Sequence, residues 1–293
     1  PLMLASDWND MLYRVCQKGK GESIWTAMQF GTVLRQIAEL AELKGEDKQK
    51  YLDIYEEQKK LVNKAAWDGE WFRRCITDEG KFIGSKDEPQ AKIWLNAQSW
   101  AVISGMGDRE KQISAMDSVK KYLDTPLGIK KIEPSMTTDY PSKEGALTCY
   151  NKGCGENGSV FCHANTWAII AECMLKRPEN AYKYYHQLLP MIAQEKAGEW
   201  RYKAEPYVYA SNIFGPESDK FGLANVSWLT GTATWMYVAV TQYMFGIRPK
   251  WNGLEIDPCL PQEMLPAKVT RVFRGKKYEI EITENKRMFI ECK

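Results

Sequence analysis

No stretch of about eighteen consecutive apolar residues occurs in the sequence, so no segment is suited to span a bilayer as a helix. Neither sign of charge dominates: 40 Lys and Arg face 38 Asp and Glu, a formal net charge of +2 that gives no electrostatic case for nucleic acid or an anionic membrane. The N-terminus has no basic stretch followed by an apolar core and a small-residue cleavage site, and reads as lacking an export signal. The eight cysteines include no CxxC pair and most fall in apolar or helical-looking stretches, which fits reduced cytoplasmic thiols better than a disulfide framework. Cys154, Cys162 and His163 are the nearest approach to a metal-ligand set; small buried residues are the simpler reading, and no metal is expected. What is abundant is aromatic: 11 Trp and 15 Tyr, whose rings stack on the C–H faces of sugars but equally fill ordinary cores.

A length of 293 residues accommodates one large domain, or one domain with an appendage. Apolar residues at Ile24, Ala27, Met28, Val33, Ile37 and Leu40 recur near the helical period, predicting a helix over 22–43 that stops at Lys44-Gly45. The same pattern predicts helices over 48–67, 95–105, 108–123, 166–175, 178–191 and 230–245. Segments 68–89 and 124–160 read as irregular, and the second is long enough that a compact domain should use it for function. Paired helices joined by short turns at one end and long loops at the other imply a toroid of helical hairpins with its site at the loop rim. From about Pro249 the texture becomes strand-like, as in the alternation Tyr278, Ile280, Ile282. The expected division is a helical catalytic portion over 1–247 and a β-rich segment over 248–293, the latter too small to stand alone.

Three motifs carry chemistry: Asp7-Trp8-Asn9-Asp10, Glu156-Asn157-Gly158 leading to His163, and Trp228-Leu229-Thr230-Gly231-Thr232. They supply an acid, a histidine and a hydroxyl-rich helix start among tryptophans. One carboxyl group can protonate a departing sugar oxygen, and a bound phosphate, already a nucleophile, needs no second carboxylate to activate water. Gly231 permits close backbone approach, and the following helix offers N–H groups and a positive dipole end to an anion. Each feature also has a plain structural reading: Asp10 as a helix cap, Trp8 as core, His163 as a satisfied structural histidine, and Thr230 as an N-cap. His186, on an ordinary-looking helix, receives only that reading.

Further motifs occur in one order with these: Gly19-Lys20-Gly21-Glu22-Ser23, Trp67-Asp68-Gly69-Glu70-Trp71-Phe72, Leu95-Asn96-Ala97-Gln98-Ser99-Trp100, Glu205-Pro206-Tyr207 and Gly253-Leu254-Glu255-Ile256-Asp257-Pro258. The series resembles the inverting cellobiose, cellodextrin and chitobiose phosphorylases, glycoside hydrolase family 94, from the first residues to about residue 260. That resemblance implies a mainly α fold, with the chain forming the second half of an (α/α)6 barrel and the start of a C-terminal β layer. It implies Asp10 as general acid, with Asp7 its rival. Trp8 and Glu156 would contact the donor sugar, and His163, Thr230 and Gly231 the phosphate, the histidine by charge-assisted donation. The implied reaction is reversible phosphorolysis of a β-glucoside of cellobiose or cello-oligosaccharide type to an α-sugar 1-phosphate. It needs no cofactor, since phosphate is a substrate.

The family is often dimeric, so a homodimer, or another chain supplying the missing first half, is the implied partner. Two positions depart from the pattern. Gly155 stands where several cellobiose phosphorylases carry a lysine that holds the acceptor sugar, and Asn151 where cellobionate-specific relatives carry a basic residue; a gluconate acceptor is therefore disfavoured and a more open acceptor side is expected. The alternatives are an inverting hydrolase, with Glu70, Glu205 or Asp257 as the base, and a non-catalytic glycan-binding fragment.

Overall fold

The computed structural model describes residues 7–9, 12, 15–139 and 150–293. Helix α1 (Ile24–Lys44) begins where the Ser23 Oγ accepts from the Thr26 N–H, and ends at Gly45, whose left-handed φ of 72° lets its N–H reach the Ala41 and Glu42 carbonyls. Ile24, Met28, Gly31, Leu34, Ala38 and Ala41 line its buried face. After a short turn, α2 (Gln49–Ala65) returns with only Tyr55 and Val62 buried, the signature of an outer helix packed along a single stripe.

The hairpin recurs as α3 (Leu95–Ile103) with α4 (Arg109–Tyr122), and as α5 (Cys162–Met174) with α6 (Pro178–Leu188). Eight consecutive residues of α3 from Leu95 are buried, as is nearly all of α5, because each lies between two neighbouring inner helices and its own outer partner. Helices α7 (Pro190–Ala197) and α8 (Glu199–Tyr202) follow, and α9 (Thr232–Val238) packs on α5 from the other side. The inner order is therefore α1, α3, α5, α9, an arc of a helical toroid.

A short strand precedes each inner helix: Glu22–Ser23, Ile93–Trp94, Val160–Phe161 and, a few residues ahead of α9, Ala224–Ser227. All four helices therefore start at one rim, where the long connections gather. Trp8, Trp25, Trp100 and Trp167 pack as one cluster, with ring centroids 5.1–6.1 Å apart in contacting pairs. A buried aromatic of this size contributes about 1.5–3 kcal/mol. After α9, strands Ile247–Lys250 and Gly253–Ile256 form a hairpin, and Ala267–Phe273, Lys276–Ile282 and Met288–Cys292 form an antiparallel meander. Among the described residues no helix is long and apolar enough to cross a membrane.

Three helix boundaries differ from expectation. The helix predicted over 178–191 breaks between α6 and α7 because Pro190 has no N–H to continue the ladder and holds Leu189 extended at ψ 127°. The helix predicted over 230–245 changes at Ala239 into a π-helix reaching Met244, with the Phe245 N–H bonded to the Val240 carbonyl. Finally, α5 starts at Cys162 instead of Thr166, which places His163 in its first turn.

Glu172 on α5 is a buried carboxylate with sparse compensation: Arg177 Nε lies 3.8 Å away, Asn180 Nδ2 at 3.5 Å, and Oε1 has no partner. Burial raises its pKa from 4.5 to about 7, and Arg177 offsets this only in part. The folded state thus keeps a proton that the unfolded chain releases, so the contribution of Glu172 to stability is fully present below 4.5 and is lost as the pH rises through about 7. Glu172→Gln is expected to flatten that decline and to stabilise the protein above neutrality by roughly 1–3 kcal/mol. Urea midpoints for both proteins on either side of neutrality check this, and parallel slopes would refute it.

Candidate active site

The site assembles at the rim where the inner helices begin. Asp7 turns the chain by accepting the Asn9 N–H at 2.9 Å and is buried against Arg74, its ion-pair partner, and the Ser23 hydroxyl at 2.8 Å. Burial pushes the Asp7 carboxyl up, but the Arg74 charge, the Asn9 N–H and the Ser23 hydroxyl outweigh it and hold the group below its ordinary value. An ionised carboxylate with its oxygens occupied by donors is poorly placed to give a proton, so Asp7 is a structural anion and weak as a rival acid. Asn9, completely buried, accepts from Arg74 Nη2 at 2.8 Å through Oδ1 and donates from Nδ2 to Glu156 Oε2 at 2.9 Å. Asp10 lies outside the described residues.

The Glu156-Asn157-Gly158 motif divides its labour. Asn157 staples the segment: its Oδ1 accepts from the Met136 N–H at 2.7 Å, and its Nδ2 donates to the Met136 and Tyr150 carbonyls. Gly158 has φ +84°, and a Cβ there would fall 2.0 Å from Ser135 Oγ, so only glycine fits. Glu156 is thereby held between Asn9 and Lys131, whose Nζ lies 3.5 Å from Oε1. At Gly155 a Cβ would meet the Tyr150 ring at 2.7 Å, so the space a side chain would leave by is already filled.

Trp8 meets His163 edge-on at 5.6 Å between centroids, and His163 leans on Trp167 at 4.8 Å and Trp235 at 6.2 Å. Gly231 packs against the other side of the imidazole, where a Cβ would lie 2.9 Å from Cε1. Burial, with a smaller contribution from the Lys131 charge, pushes the His163 pKa from 6.5 down to about 4. Both effects favour the uncharged imidazole in the free site, and among the described residues its buried Nε2 has no hydrogen-bond partner.

The Thr230 oxygen accepts from the Thr232 N–H at 3.1 Å, and the two hydroxyls share a hydrogen bond of 2.6 Å; the N-cap of the short helix α9 is Gly231, not Thr230, and carries no side-chain cap. Val226 and Trp228 just before it adopt positive φ, 56° and 70°, an unusual backbone for bulky side chains.

Trp8, Glu156, His163 and Gly231, separated by more than two hundred positions in sequence, thus share one wall of the rim through direct contacts or the Asn9 and Lys131 bridges. Two of the three candidate hydrolytic bases, Glu70 and Asp257, lie away from it. Glu70 takes the Tyr122 hydroxyl at the outer surface. Asp257 pairs with Lys176 and Arg248 beyond the far end of α5, about 20 Å of helix rise from His163. Glu205 is half-buried and accepts from the Trp228 indole at 3.0 Å, two residues ahead of Thr230. Cys154 and Cys162 join no metal-ligand group among the described residues.

Sequence reasoning missed Arg74 and Lys131, both completely buried side chains. The one available signal was a lysine pair enclosed between Ile129 and Ile132, charge inside an apolar run. Two further motifs prove to be mounts: Gln98 bonds the backbone N–H and carbonyl of Phe72, each at 2.8 Å, while Asp68 accepts from Arg73, Ser85 and the Lys86 N–H.

Residues 1–246 match the sequence profile described as the Glycosyl hydrolase 94 superfamily, catalytic domain. The chain is 36% identical over 284 residues to a solabiose phosphorylase of Paenibacillus borealis, covering 96% of this chain and 37% of that protein. It is 36% identical over 286 residues to an N,N'-diacetylchitobiose phosphorylase of Vibrio proteolyticus, covering 95% and 34%. The chain therefore spans about a third of the length of these curated relatives. A solved structure titled as a wild-type glycosidase superposes with a TM-score of 0.51 at 10% identity over 79% of this chain and 57% of that one, a likeness of fold alone.

Proposed function

From the premise that the chain belongs to the glycosyl hydrolase 94 superfamily, we propose that it carries out reversible, inverting phosphorolysis of a β-linked glucoside to an α-sugar 1-phosphate and a shortened sugar. The observation that carries this reading is the convergence of Trp8, Glu156, His163 and Gly231 at one rim. Asp10 protonates the departing glycosidic oxygen. Glu156, steadied by Asn9, accepts hydrogen bonds from hydroxyls of the donor sugar, and Trp8 supplies an apolar wall. Phosphate enters from the opposite face, held by His163 Nε2 and the Thr230-Gly231 turn, and attacks the anomeric carbon as its bond to the leaving oxygen breaks. Phosphate, as nucleophile, replaces the water and second carboxylate of a hydrolase, and no cofactor is required.

The relatives named above are phosphorylases of different disaccharides, which supports the reaction class and leaves the sugar to this chain's own acceptor side. There the Tyr150 ring occupies the position from which a lysine at Gly155 would extend. Cellobiose or a longer cello-oligosaccharide is the proposed substrate, and gluconate acceptors are disfavoured.

The arc of inner helices supports the reading of the chain as the second half of an (α/α)6 barrel. Phe30, Val33, Ile37 and Leu40 form an exposed apolar stripe along α1, a face suited to hairpins from a first half supplied by the same protein or by another chain, with a homodimer as the further assembly. The helical portion ends near 247, and the hairpin and meander beyond it form the β layer. The free thiols fit a cytoplasmic setting.

The deciding assay is consumption of inorganic phosphate with a panel of β-disaccharides by the intact protein. Sugar release that is independent of phosphate would favour a hydrolase instead, and binding of sugar without turnover a glycan-binding role. Gly231→Ala, whose Cβ would lie 2.9 Å from His163 Cε1, must displace the imidazole and should raise the KM for phosphate about tenfold. The KM for sugar should change much less. An unchanged phosphate KM would detach Gly231 from the phosphate site.

A further inference from the structure

Lys131 takes no step in the reaction just described, yet it is the charged group in this site with the poorest hydrogen bonding. Its side chain is fully buried, and its ammonium lies over the faces of Trp8 at 4.3 Å and Phe161 at 4.4 Å. Among the described residues the nearest counter-charge, Glu156 Oε1, is 3.5 Å away, beyond the roughly 2.7–2.9 Å of a charge-assisted hydrogen bond, and Nζ has no hydrogen-bond partner there. A lysine in such a slot costs more than an apolar side chain of the same shape, so packing alone does not account for it. Its backbone is fixed at both sides: the Leu95 N–H, opening α3, donates to the Lys131 carbonyl at 2.9 Å, and the Lys131 N–H donates to the Ser159 carbonyl at 2.9 Å, just ahead of α5.

We propose that Lys131 is a positioning residue of this site: its ammonium, laid between the Trp8 and Phe161 rings, holds the Glu156 carboxylate in place and sets a positive charge beside the Trp8–His163 contact. The roles of Glu156 and His163 toward sugar and phosphate rest on the proposed phosphorolysis; the coupling between Lys131 and His163 does not. Among the described residues the charged groups that face Lys131 are Glu156, Asp7 and Arg74, and the Trp8 ring it lies over touches His163. Burial draws the Lys131 pKa from 10.5 down to about 8 against the pull of Glu156. The ammonium therefore discharges just above neutrality, and the site loses the charge that keeps Glu156 in place.

Only two histidines, His163 and His186, are present, so an NMR titration of the imidazoles in the intact protein resolves each. In Lys131→Met the His163 pKa should rise above about 4 by the smaller, electrostatic share of its depression, the burial remaining, while in Lys131→Arg it should stay low and His186 should be unmoved in both. A folded Lys131→Met protein with His163 unshifted overturns the proposal. Should Lys131→Met fail to fold, the wild-type protein against Lys131→Arg decides: His163 resonances of the wild type should show a second inflection near 8 that the arginine variant lacks, and a wild type without it overturns the proposal equally. In the catalytic arm, kcat/KM for phosphorolysis should fall about tenfold above that point in the wild type and persist in Lys131→Arg; coincident profiles contradict the positioning role. If the protein consumes no phosphate at all, the functional reading fails while the NMR arm still judges Lys131.

Discussion

Replacing Arg74 with methionine is expected to lower the unfolding free energy by about 3–5 kcal/mol, because it strands a buried carboxylate. The Arg74 guanidinium is completely buried, ion-paired with Asp7, and donates to Asn9 Oδ1 and, at 3.1 Å, to Ser23 Oγ; the rings of Trp25 and Trp94 flank it at 5.7 and 5.8 Å. The Asp7 side chain is only 1% exposed, so the penalty is desolvation of the orphaned carboxylate more than loss of a favourable pair. The companion change Asp7→Asn in the same chain removes the charge while keeping an acceptor for Ser23 and Asn9, and should recover a large part of the loss. Urea unfolding of the two single variants and the double variant measures the coupling. A loss below about 1 kcal/mol, or none of it regained in the double variant, would mean that the pair is far better hydrated than its burial implies. Because Arg74 orients Asn9 and Asn9 holds Glu156, the same change should also impair activity in whatever fraction remains folded.

Asp10→Asn is expected to reduce phosphorolysis of a β-disaccharide by about 10²–10⁴-fold with little effect on folding, the range for removal of a general acid. An amide cannot protonate the departing sugar oxygen, and Asp7, held ionised beside Arg74, is no substitute. The informative control is a β-glucoside with an acidic aryl leaving group, which departs without protonation. The variant should approach wild-type rates on it while failing on the disaccharide. Equal losses on both substrates would point to binding or positioning instead, and disaccharide turnover near wild type would reject the assignment of the acid.

The sequence by itself determined the helical hairpins, the rim on which their long connections meet, and the family. These follow from residue period, from stops such as Gly45, and from motifs whose order along the chain needs no folding to be read. It also named Trp8, Glu156, His163 and Gly231 as partners before any distance was known. Only the tertiary structure decided which polar groups lose their water, because burial is a property of everything that packs around a residue and leaves no mark in its own few neighbours. That is why Arg74 and Lys131 passed as ordinary basic residues in loops, why Asp7 competed with Asp10 as a proton donor until its ion pair with Arg74 appeared, and why the burial and the Lys131 charge that disfavour a protonated His163 leave no mark in its motif. It is also why Gly158, in the sequence only the last member of a motif, proves in the fold to be required by the Ser135 side chain against which it is pressed.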